Sequence, residues 1–334
     1  MKITQLPLTL ITHTLPDRWL EKLNEICQME VGPPDADHLA PGLEEHLPEA
    51  EGLFSLLTIA VSEELLSKAP NLKVVSNMAV GYDNIDVAAC TRRGIPVGNT
   101  PGVLTEGTAD LTMALLLAAA RKLPEASKDA REGRWTTWSP TGWLGADLHG
   151  ATLGIVGMGE IGSAVARRAH GFGVRLVYTD NIPRPEIEVQ LGATKLSLET
   201  LLWESDFVSL HVPLTDETHH LIDADALQYM KKTAILINAA RGPIVDNQAL
   251  HRALREGWIS AAALDVTDPE PLPPTDPLYA LPNCLIVPHI GSATQHTRRR
   301  MAELACDNLL AGLRGERLPH CVNPEVYQQT VSSG

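Results

Sequence analysis

Six short apolar segments recur along the second half of the chain, and they constrain its fold more than any other feature. They begin at residues 152, 175, 206, 234, 260 and 284 and read TLGIVG, RLVYTD, DFVSLHV, AILINAA, SAAALDV and CLIV. A loop follows each segment, and most loops lead into an amphipathic stretch. Strands buried on both faces are continuous apolar runs, so this alternation predicts an α/β protein with six parallel strands after residue 151.

The first hundred residues show the same alternation, and with 334 residues two domains are expected. We predict strands near 3–12, 52–58, 73–77 and 95–98, and helices near 16–27, 62–68 and 86–93. A long helix near 104–121 and an ordered excursion, GRWTTWSPTGWLG, come next. The last helix, near 293–313, is expected to return to the first unit, which would make that domain discontinuous.

Charge and composition exclude several classes of protein. The net charge of −14 argues against a nucleic-acid partner, whose phosphates need a basic face. The apolar run MALLLAAA at 113–120 is too short for a membrane span, which needs ~20 residues. The five cysteines form no CxxC pair or metal-like cluster, so we expect reduced thiols, no disulfide, no metal and a cytoplasmic location.

The segment GIVGMGEIG predicts a dinucleotide site. Gly157, Gly159 and Gly162 form GxGxxG directly after a strand and at the start of a helix, where free backbone N–H groups can bind a pyrophosphate. The next strand ends in Asp180, whose carboxylate can accept hydrogen bonds from the ribose hydroxyls and repel a 2′-phosphate. NAD is therefore favoured over NADP, although Arg184, four residues later, leaves NADP open.

Three consecutive strand ends present an arginine, a glutamate and a histidine. Arg241 follows AILINAA, Glu270 lies in the proline-rich loop after the next strand, and His289 follows CLIV. A planar guanidinium suits a carboxylate or carbonyl oxygen, and a histidine beside a carboxylate can act as acid or base near neutral pH. The set suits hydride transfer to a carbonyl. Asp265, at another strand end, could orient the nicotinamide amide.

The motifs GMGEIG, NAARG, LDVTDPEPLP and PHIGSAT resemble those of the D-isomer-specific 2-hydroxyacid dehydrogenases, and the likeness covers nearly the whole chain. Within that family VGYDNID and WTTWSP are most similar to glyoxylate/hydroxypyruvate reductases. The resemblance implies a flavodoxin-like substrate-binding domain (1–102 and 290–334), a Rossmann domain that binds NAD(P) (103–289), a cleft that closes on binding, and a homodimer.

The resemblance also implies roles for individual residues. Arg241 would bind the substrate, Glu270 would support the histidine, and His289 would be the acid/base. The remaining substrate-binding residues would be Leu57, Val80, Gly81, Ser292 and, from the partner subunit, Trp138. The cofactor-binding residues would be Thr108, Gly157, Met158, Gly159, Glu160, Ile161, Gly162, Asp180, His211, Val212, Pro213, Thr218, Ala239, Ala240, Arg241, Asp265, His289 and Gly291.

The chain departs from the animal reductases at one pair of residues that bears on the cofactor, and two alternative functions stay open. Animal reductases of this type have a Gly-Arg pair suited to NADP where this chain has Asp180 and Asn181. The similar phosphite dehydrogenases share the Arg, Glu and His but have a lysine in place of Val80. An NAD-sensing corepressor would bind the cofactor without appreciable turnover. The sequence does not rank glyoxylate, hydroxypyruvate and pyruvate as substrates.

Overall fold

Two separate parallel sheets organise the chain in this computed structural model, which describes residues 6–329. In chain order the strands are β1 (Leu8–Ile11), β2 (Gln28–Val31), β3 (Gly52–Ser55), β4 (Val74–Asn77), β5 (Val97–Gly98), β6 (Thr152–Val156), β7 (Arg175–Thr179), β8 (Thr194–Lys195), β9 (Phe207–Leu210), β10 (Ile235–Asn238), β11 (Ala261–Leu264) and β12 (Cys284–Ile286).

The α-helices are α1 (Pro41–Glu44), α2 (Glu63–Lys68), α3 (Val87–Arg92), α4 (Thr105–Ala120), α5 (Leu123–Arg131), α6 (Glu160–His170), α7 (Pro185–Leu191), α8 (Leu198–Glu204), α9 (Ala224–Tyr229), α10 (Asn247–Glu256), α11 (Gln295–Leu313) and α12 (Val326–Gln329). Short 3₁₀ turns lie at Asp17–Trp19, Glu21–Leu23, Gly242–Ile244 and Pro277–Ala280.

The chain divides into two compact units. The first takes the chain up to Leu104 and again from Thr294, and the second is Thr105–Ala293. The return of the last helix to the first unit is confirmed, since α11 packs on β3 and β4. The functional domains expected from the sequence, 1–102 with 290–334 and 103–289, stay a prediction.

The first unit has a five-stranded sheet in the order β2-β1-β3-β4-β5, with every pair parallel. This is the flavodoxin-like order. Glycine allows α11 to approach the sheet closely, because a Cβ placed on Gly312 would lie 2.4 Å from the Val74 side chain. Ser76 Oγ also donates to the Ala305 carbonyl of α11 at 2.7 Å, which fixes the helix over β4.

The second unit has a seven-stranded parallel sheet in the order β12-β11-β10-β9-β6-β7-β8. The chain runs outward through β6, β7 and β8 and then returns to place β9 on the other side of β6, so the strand order reverses between β6 and β9. This is the Rossmann arrangement, in which ligands bind at the reversal beyond the carboxyl ends of the strands. The predicted α/β class is confirmed.

The buried strands explain why the sequence pattern was informative. Every residue of β6, β9, β10 and β11 is buried, and apolar side chains on the two faces of the sheet form two clusters. Local signals set the helix ends. Asp246 accepts from the N–H groups of Gln248 and Ala249 at the start of α10, and Gly257 ends that helix with φ +71°.

Two expectations are wrong in detail. The helix near 16–27 is replaced by two 3₁₀ turns, because the apolar spacing of Leu20 and Leu23 also fits three residues per turn and Glu25 takes φ +65° before β2 begins. The second sheet has seven strands rather than six, since the exposed two-residue β8 carries no apolar run. The first predicted strand, 3–12, is observed as β1, and its residues 3–5 lie outside the described residues.

Candidate active site

The predicted cofactor and catalytic residues of the second unit follow the carboxyl ends of its strands. Asp180, His211 and Asp265 each stand directly after a strand. Arg241 and His289 are each three residues beyond a strand end. Because all these strands are parallel, their carboxyl ends lie along one edge of the sheet, and the reversal of strand order falls within that edge.

The glycine loop after β6 leaves no room for side chains at two of its three glycines. Gly157 has φ +93°, and a Cβ there would lie 2.7 Å from the His211 carbonyl oxygen and 2.8 Å from Val212 Cγ1. A Cβ on Gly162 would lie 2.1 Å from the Gly157 carbonyl oxygen. The loop therefore packs against the end of β9 and against its own helix.

Gly159 differs from the other two glycines. It precedes α6 with an extended backbone, and a Cβ placed on it would meet no heavy atom of the protein within 4 Å. Open space before a helix N-terminus is the geometry that a pyrophosphate needs. The carboxylate of Glu160, the next residue, accepts a hydrogen bond from the Thr105 hydroxyl at 3.2 Å. The residues present therefore fit a dinucleotide.

Asp180 links the glycine loop to the loop after β7. Its Oδ2 accepts from the Met158 N–H at 2.7 Å, and its Oδ1 accepts from the Ile182 N–H at 2.8 Å. The sequence suggests only the ribose contact for this carboxylate. Its role in holding the glycine loop to the loop after β7 becomes visible only in the structure.

His211 is a neutral histidine behind the glycine loop. Its Nε2 lies 2.7 Å from Ser209 Oγ, while its Nδ1 is buried and has no hydrogen-bond partner among residues 6–329. Burial lowers the pKa of His211 to about 4, because a charged ring would lose its hydration there. On the same loop the Thr218 hydroxyl donates to the Pro213 carbonyl at 2.6 Å.

Asn238 shapes the loop that carries Arg241, although the sequence analysis did not single it out. The Asn238 side chain is buried, donates to the Arg241 carbonyl at 2.8 Å and accepts from the Ala240 N–H at 3.1 Å. Arg241 itself donates through Nη1 to the Ala240 carbonyl at 2.8 Å. A polar residue that ends an apolar strand directly before Ala-Ala-Arg was the available signal.

The Arg241 loop packs against the start of the Glu270 loop. A Cβ on Gly242 would lie 1.9 Å from the Thr267 carbonyl oxygen, so only glycine permits this approach. Asn247 Nδ2 also donates to the Asp268 carbonyl. The loops after β10 and β11 are therefore held against each other.

His289 and Glu270 are in direct contact. His289 Nδ1 lies 2.5 Å from Glu270 Oε1, and both side chains are partly exposed. The described residues provide no partner for the other ring nitrogen, Nε2, which is therefore the atom available to a ligand. The Nδ1 contact sets the orientation of the ring.

Asp265 holds the backbone around His289. Its carboxylate accepts from the N–H groups of Ile290 at 2.6 Å and Gly291 at 2.8 Å, and its carbonyl accepts from the His289 N–H at 2.8 Å. His289 takes φ +49°, which non-glycine residues adopt rarely and only where the surroundings enforce it. Burial raises the pKa of the Asp265 carboxyl. A Cβ on Gly291 would lie 3.0 Å from Asp265 Oδ2 and 3.4 Å from the Thr108 side chain.

Other predicted residues lie outside this group of contacts. Leu57, Val80 and Gly81 belong to the first unit, where they follow β3 and β4. Ser292 is half-buried, two residues after Ile290. Trp138 is 79% exposed on the segment after α5.

Neither a metal-binding cluster nor a membrane-spanning helix is present among residues 6–329. Residues 6–329 contain no group of three or more His, Cys, Asp or Glu side chains placed to hold a metal ion. Within the same range no helix combines the length and apolar character that a membrane span requires.

The chain is similar to known proteins over almost its whole length. Residues 113–291 match the model of the D-isomer specific 2-hydroxyacid dehydrogenase, NAD binding domain. A glyoxylate reductase from Korarchaeum cryptofilum is 51% identical over 323 residues, which cover 96% of this chain and 97% of that protein.

Solved structures agree with the match. The TT0316 protein from Thermus thermophilus has a TM-score of 0.88 at 50% identity, covering 94% of this chain and 99% of that one. An NADPH-dependent glyoxylate/hydroxypyruvate reductase from Sinorhizobium meliloti, in complex with NADP and malonate, has a TM-score of 0.83 at 35% identity, covering 95% and 96%. With a family model over more than half its length and relatives near half-identical from end to end, the chain belongs to the D-isomer-specific 2-hydroxyacid dehydrogenase family.

Proposed function

We propose that this chain reduces small 2-keto acids, foremost glyoxylate and hydroxypyruvate, to glycolate and D-glycerate with NADH. The observation that carries the proposal is the 2.5 Å contact between His289 Nδ1 and Glu270 Oε1 beside the Arg241 loop. The cofactor supplies the hydride that is added to the carbonyl carbon. The names of the relatives, glyoxylate reductase and glyoxylate/hydroxypyruvate reductase, support this substrate class.

His289 supplies the proton. Glu270 engages Nδ1, so Nε2–H of the imidazolium faces the ligand and donates its proton to the carbonyl oxygen as negative charge develops there. In the reverse reaction the neutral Nε2 accepts the proton of the hydroxyl group. Glu270 supports both steps, because its contact with Nδ1 keeps the ring in one orientation with Nε2 towards the ligand.

Arg241 binds the substrate through its guanidinium. A planar fork of N–H groups can donate to a carboxylate oxygen and to the carbonyl oxygen at once. The loop that carries it is anchored by Asn238, which reduces the entropy lost when the substrate binds. Arg241 therefore selects for the 2-keto acid group and leaves the rest of the substrate to other residues.

The catalytic proposal is tested with two substitutions. His289→Ala should lower kcat by roughly 10²–10⁴-fold, the usual contribution of a general acid, while the Kd for NADH stays near that of the wild type. Arg241→Lys keeps the charge but loses the fork, so the KM for glyoxylate should rise about tenfold or more with NADH binding intact. A wild-type kcat in His289→Ala, or an unchanged KM in Arg241→Lys, would contradict the respective role.

The substrate and the class of protein are tested by steady-state kinetics with glyoxylate, hydroxypyruvate and pyruvate in the presence of NADH or NADPH, and with phosphite in the presence of NAD+ or NADP+. Turnover of the 2-keto acids supports the proposal. Oxidation of phosphite alone would identify a phosphite dehydrogenase. Tight NADH binding without measurable reduction of any keto acid would identify a binding protein instead.

We also propose that the chain prefers NADH over NADPH because of the negative charge on the Asp180 carboxylate. The same carboxylate bonds the Met158 and Ile182 N–H groups, so it is held where a 2′-phosphate would meet its charge. Asp180→Asn keeps the shape and removes the charge, and it should narrow the ratio of kcat/KM for NADH over NADPH. Equal kcat/KM for the two cofactors in the wild type would contradict the proposal.

A cytoplasmic homodimer completes the proposal. All five cysteines are free thiols, which suits a reducing compartment. Trp135 and Trp138 are 74% and 79% exposed, and large exposed aromatic side chains are enriched at protein interfaces.

A further inference from the structure

In the loop after β4 of the first unit, the backbone carbonyls of three consecutive residues, Ala79, Val80 and Gly81, each accept a hydrogen bond. The Ala79 carbonyl accepts from the Thr100 N–H at 2.9 Å. The Val80 carbonyl accepts from Asn99 Nδ2, and the Gly81 carbonyl accepts from Asn77 Nδ2, each at 2.9 Å. Two of the three donors are therefore side-chain amides.

The N–H groups of the same loop are in the opposite situation. Among residues 6–329, no acceptor bonds the backbone N–H of Val80, Gly81 or Tyr82. Backbone N–H groups are strong donors that rarely stay unpaired unless water or a ligand accepts from them. Successive unpaired N–H groups in a loop form a concavity that binds anions.

Peptide geometry connects the two observations. In a trans peptide the C=O of one residue and the N–H of the next point in opposite directions. Asn99, by holding the Val80 carbonyl, therefore fixes the direction of the Gly81 N–H. In the same way Asn77, by holding the Gly81 carbonyl, fixes the direction of the Tyr82 N–H.

The environment of Asn77 indicates that this arrangement has a cost in stability. Its side chain is wholly buried, and its Oδ1 has no hydrogen-bond partner in the described part of the chain. A buried unsatisfied oxygen is unfavourable for folding. Asn77 Nδ2 also donates to Asn84 Oδ1 at 3.2 Å, and Asn84 in turn donates to the Ile59 carbonyl at 2.9 Å. The side-chain amides of Asn77 and Asn84 therefore connect the loop to the interior of the first unit.

We propose that Asn99 and Asn77 are positioning residues for the substrate carboxylate, because their amides hold the Val80 and Gly81 carbonyls back and present the Gly81 and Tyr82 N–H groups to it. The inference rests on the proposed function, because it takes the carboxylate of a 2-keto acid as the anion that this loop receives. Neither asparagine touches the substrate in this role. They act through the backbone of the loop.

The test is Asn99→Leu, which removes the donor at similar size without adding a charge, made beside the smaller Asn99→Ala. The backbone of Asn99 keeps its own anchors in both variants, since its carbonyl accepts from Asn308 Nδ2 at 2.9 Å and its N–H donates to the His320 carbonyl at 3.3 Å. The matched control is Asn71→Leu, because Asn71 Nδ2 donates to a carbonyl of another loop, that of Pro48, at 2.7 Å.

Five quantities are measured on the full chain: the KM and kcat for glyoxylate, the inhibition constant of oxamate with NADH present, the Kd for NADH, and Tm. Loss of a well-directed hydrogen bond to a charged group should raise the glyoxylate KM and the oxamate constant about tenfold in Asn99→Leu and Asn99→Ala. The kcat should change less than about threefold, and the Kd for NADH should not change. Asn71→Leu should match the wild type in KM.

Four results would overturn the inference. If the wild type reduces glyoxylate and both Asn99 variants keep its KM, the positioning role is wrong while the proposed function stands. The same holds if KM rises equally in Asn71→Leu, or if kcat falls as much as KM rises, since general damage to the fold would explain either. If the wild type reduces no 2-keto acid, the proposed function fails first and the inference fails with it.

Discussion

A neutral histidine supports the back of the glycine loop. A Cβ on Gly157 would lie 2.7 Å from the His211 carbonyl oxygen, and His211 Nε2 lies 2.7 Å from Ser209 Oγ. Its buried Nδ1 has no partner within residues 6–329 that could accept a hydrogen bond from the charged ring. The glycine loop therefore packs against a histidine whose pKa is lowered by burial to about 4.

This lowered pKa predicts a loss of stability in mild acid. The pKa of His211 is about 4 in the folded chain, while the ordinary value of a histidine, expected in the unfolded chain, is 6.5. Between these two pH values the ring is neutral in the folded chain and protonated in the unfolded chain, so the unfolded chain binds more protons. The free energy of unfolding should therefore fall as pH drops from 6.5 towards 4, by on the order of 3 kcal/mol from this residue.

The measurement is urea unfolding at a series of pH values. His211→Gln keeps an amide near Ser209 and removes the titration, so its unfolding free energy should vary less with pH than that of the wild type. His296→Gln, at an exposed histidine of α11, is the control and should follow the wild type. If His211→Gln and the wild type lose stability in parallel, the histidine is not the cause.

Single residues also show what the sequence could and could not reveal about the site. Arg241, Glu270 and His289 could be predicted as site residues because each follows an apolar strand, a position that a linear pattern records. The clamp formed by Asp265 on Ile290 and Gly291 could not be found that way. It joins residues 25 and 26 positions apart, and only the parallel pairing of β11 with β12 brings them together.

At the scale of elements, the strands that the sequence predicts correctly are those whose burial makes their residues apolar. Strands such as β6 and β10 are buried on both faces and read as apolar runs. The sequence patterns predicted none of β2, β8, α1, α5 and the four-residue α12. The strands β2 and β8 are exposed or half-exposed, and α1 has four residues, so neither periodicity nor an apolar run marks them. None of the side chains of α5 is buried, so no apolar stripe facing a core marks this helix.

The turn from β6 into α6 offers a prediction that separates folding from cofactor binding. Gly159 has φ −70° and ψ −159°, which alanine also adopts, and a Cβ there meets no protein atom within 4 Å. Gly159→Ala should therefore keep the Tm of the apoprotein. Its methyl group would occupy space open to a pyrophosphate, so the Kd for NADH should rise about tenfold or more.

Gly162→Ala is the contrasting variant in the same turn. Its Cβ would lie 2.1 Å from the Gly157 carbonyl oxygen, so the loop must move even without cofactor, and Tm should fall. Tm is read by thermal unfolding of the apoprotein, and the Kd by quenching of tryptophan fluorescence. A Gly159→Ala protein that binds NADH as tightly as the wild type would show that the pyrophosphate does not approach this residue.

At the scale of the whole molecule, the segment between α5 and β6 is the clearest departure from an ordinary globular surface. Trp135, Trp138 and Leu144 are 74%, 79% and 64% exposed, and Trp143 is 47% exposed. We call residues 133–145 the tryptophan arm. The sequence predicted an ordered excursion here, yet no pattern within it indicates what it contacts. Exposed apolar groups at this density are typical of an interface.

The tryptophan arm therefore predicts that the chain is a dimer in solution and that the arm stabilises it. The double variant Trp135→Glu with Leu144→Glu places two charges in the contact, and burying them without partners costs several kcal/mol, so the dimer dissociation constant should rise at least about a hundredfold. Trp203→Glu is the matched control, since Trp203 is a 68% exposed tryptophan on α8 of the same unit. Sedimentation equilibrium measures the dimer dissociation constant of the double variant and that of Trp203→Glu. A monomeric wild type would contradict the prediction at once, and equal weakening by Trp203→Glu would show that added charge, rather than the arm, disturbs the assembly.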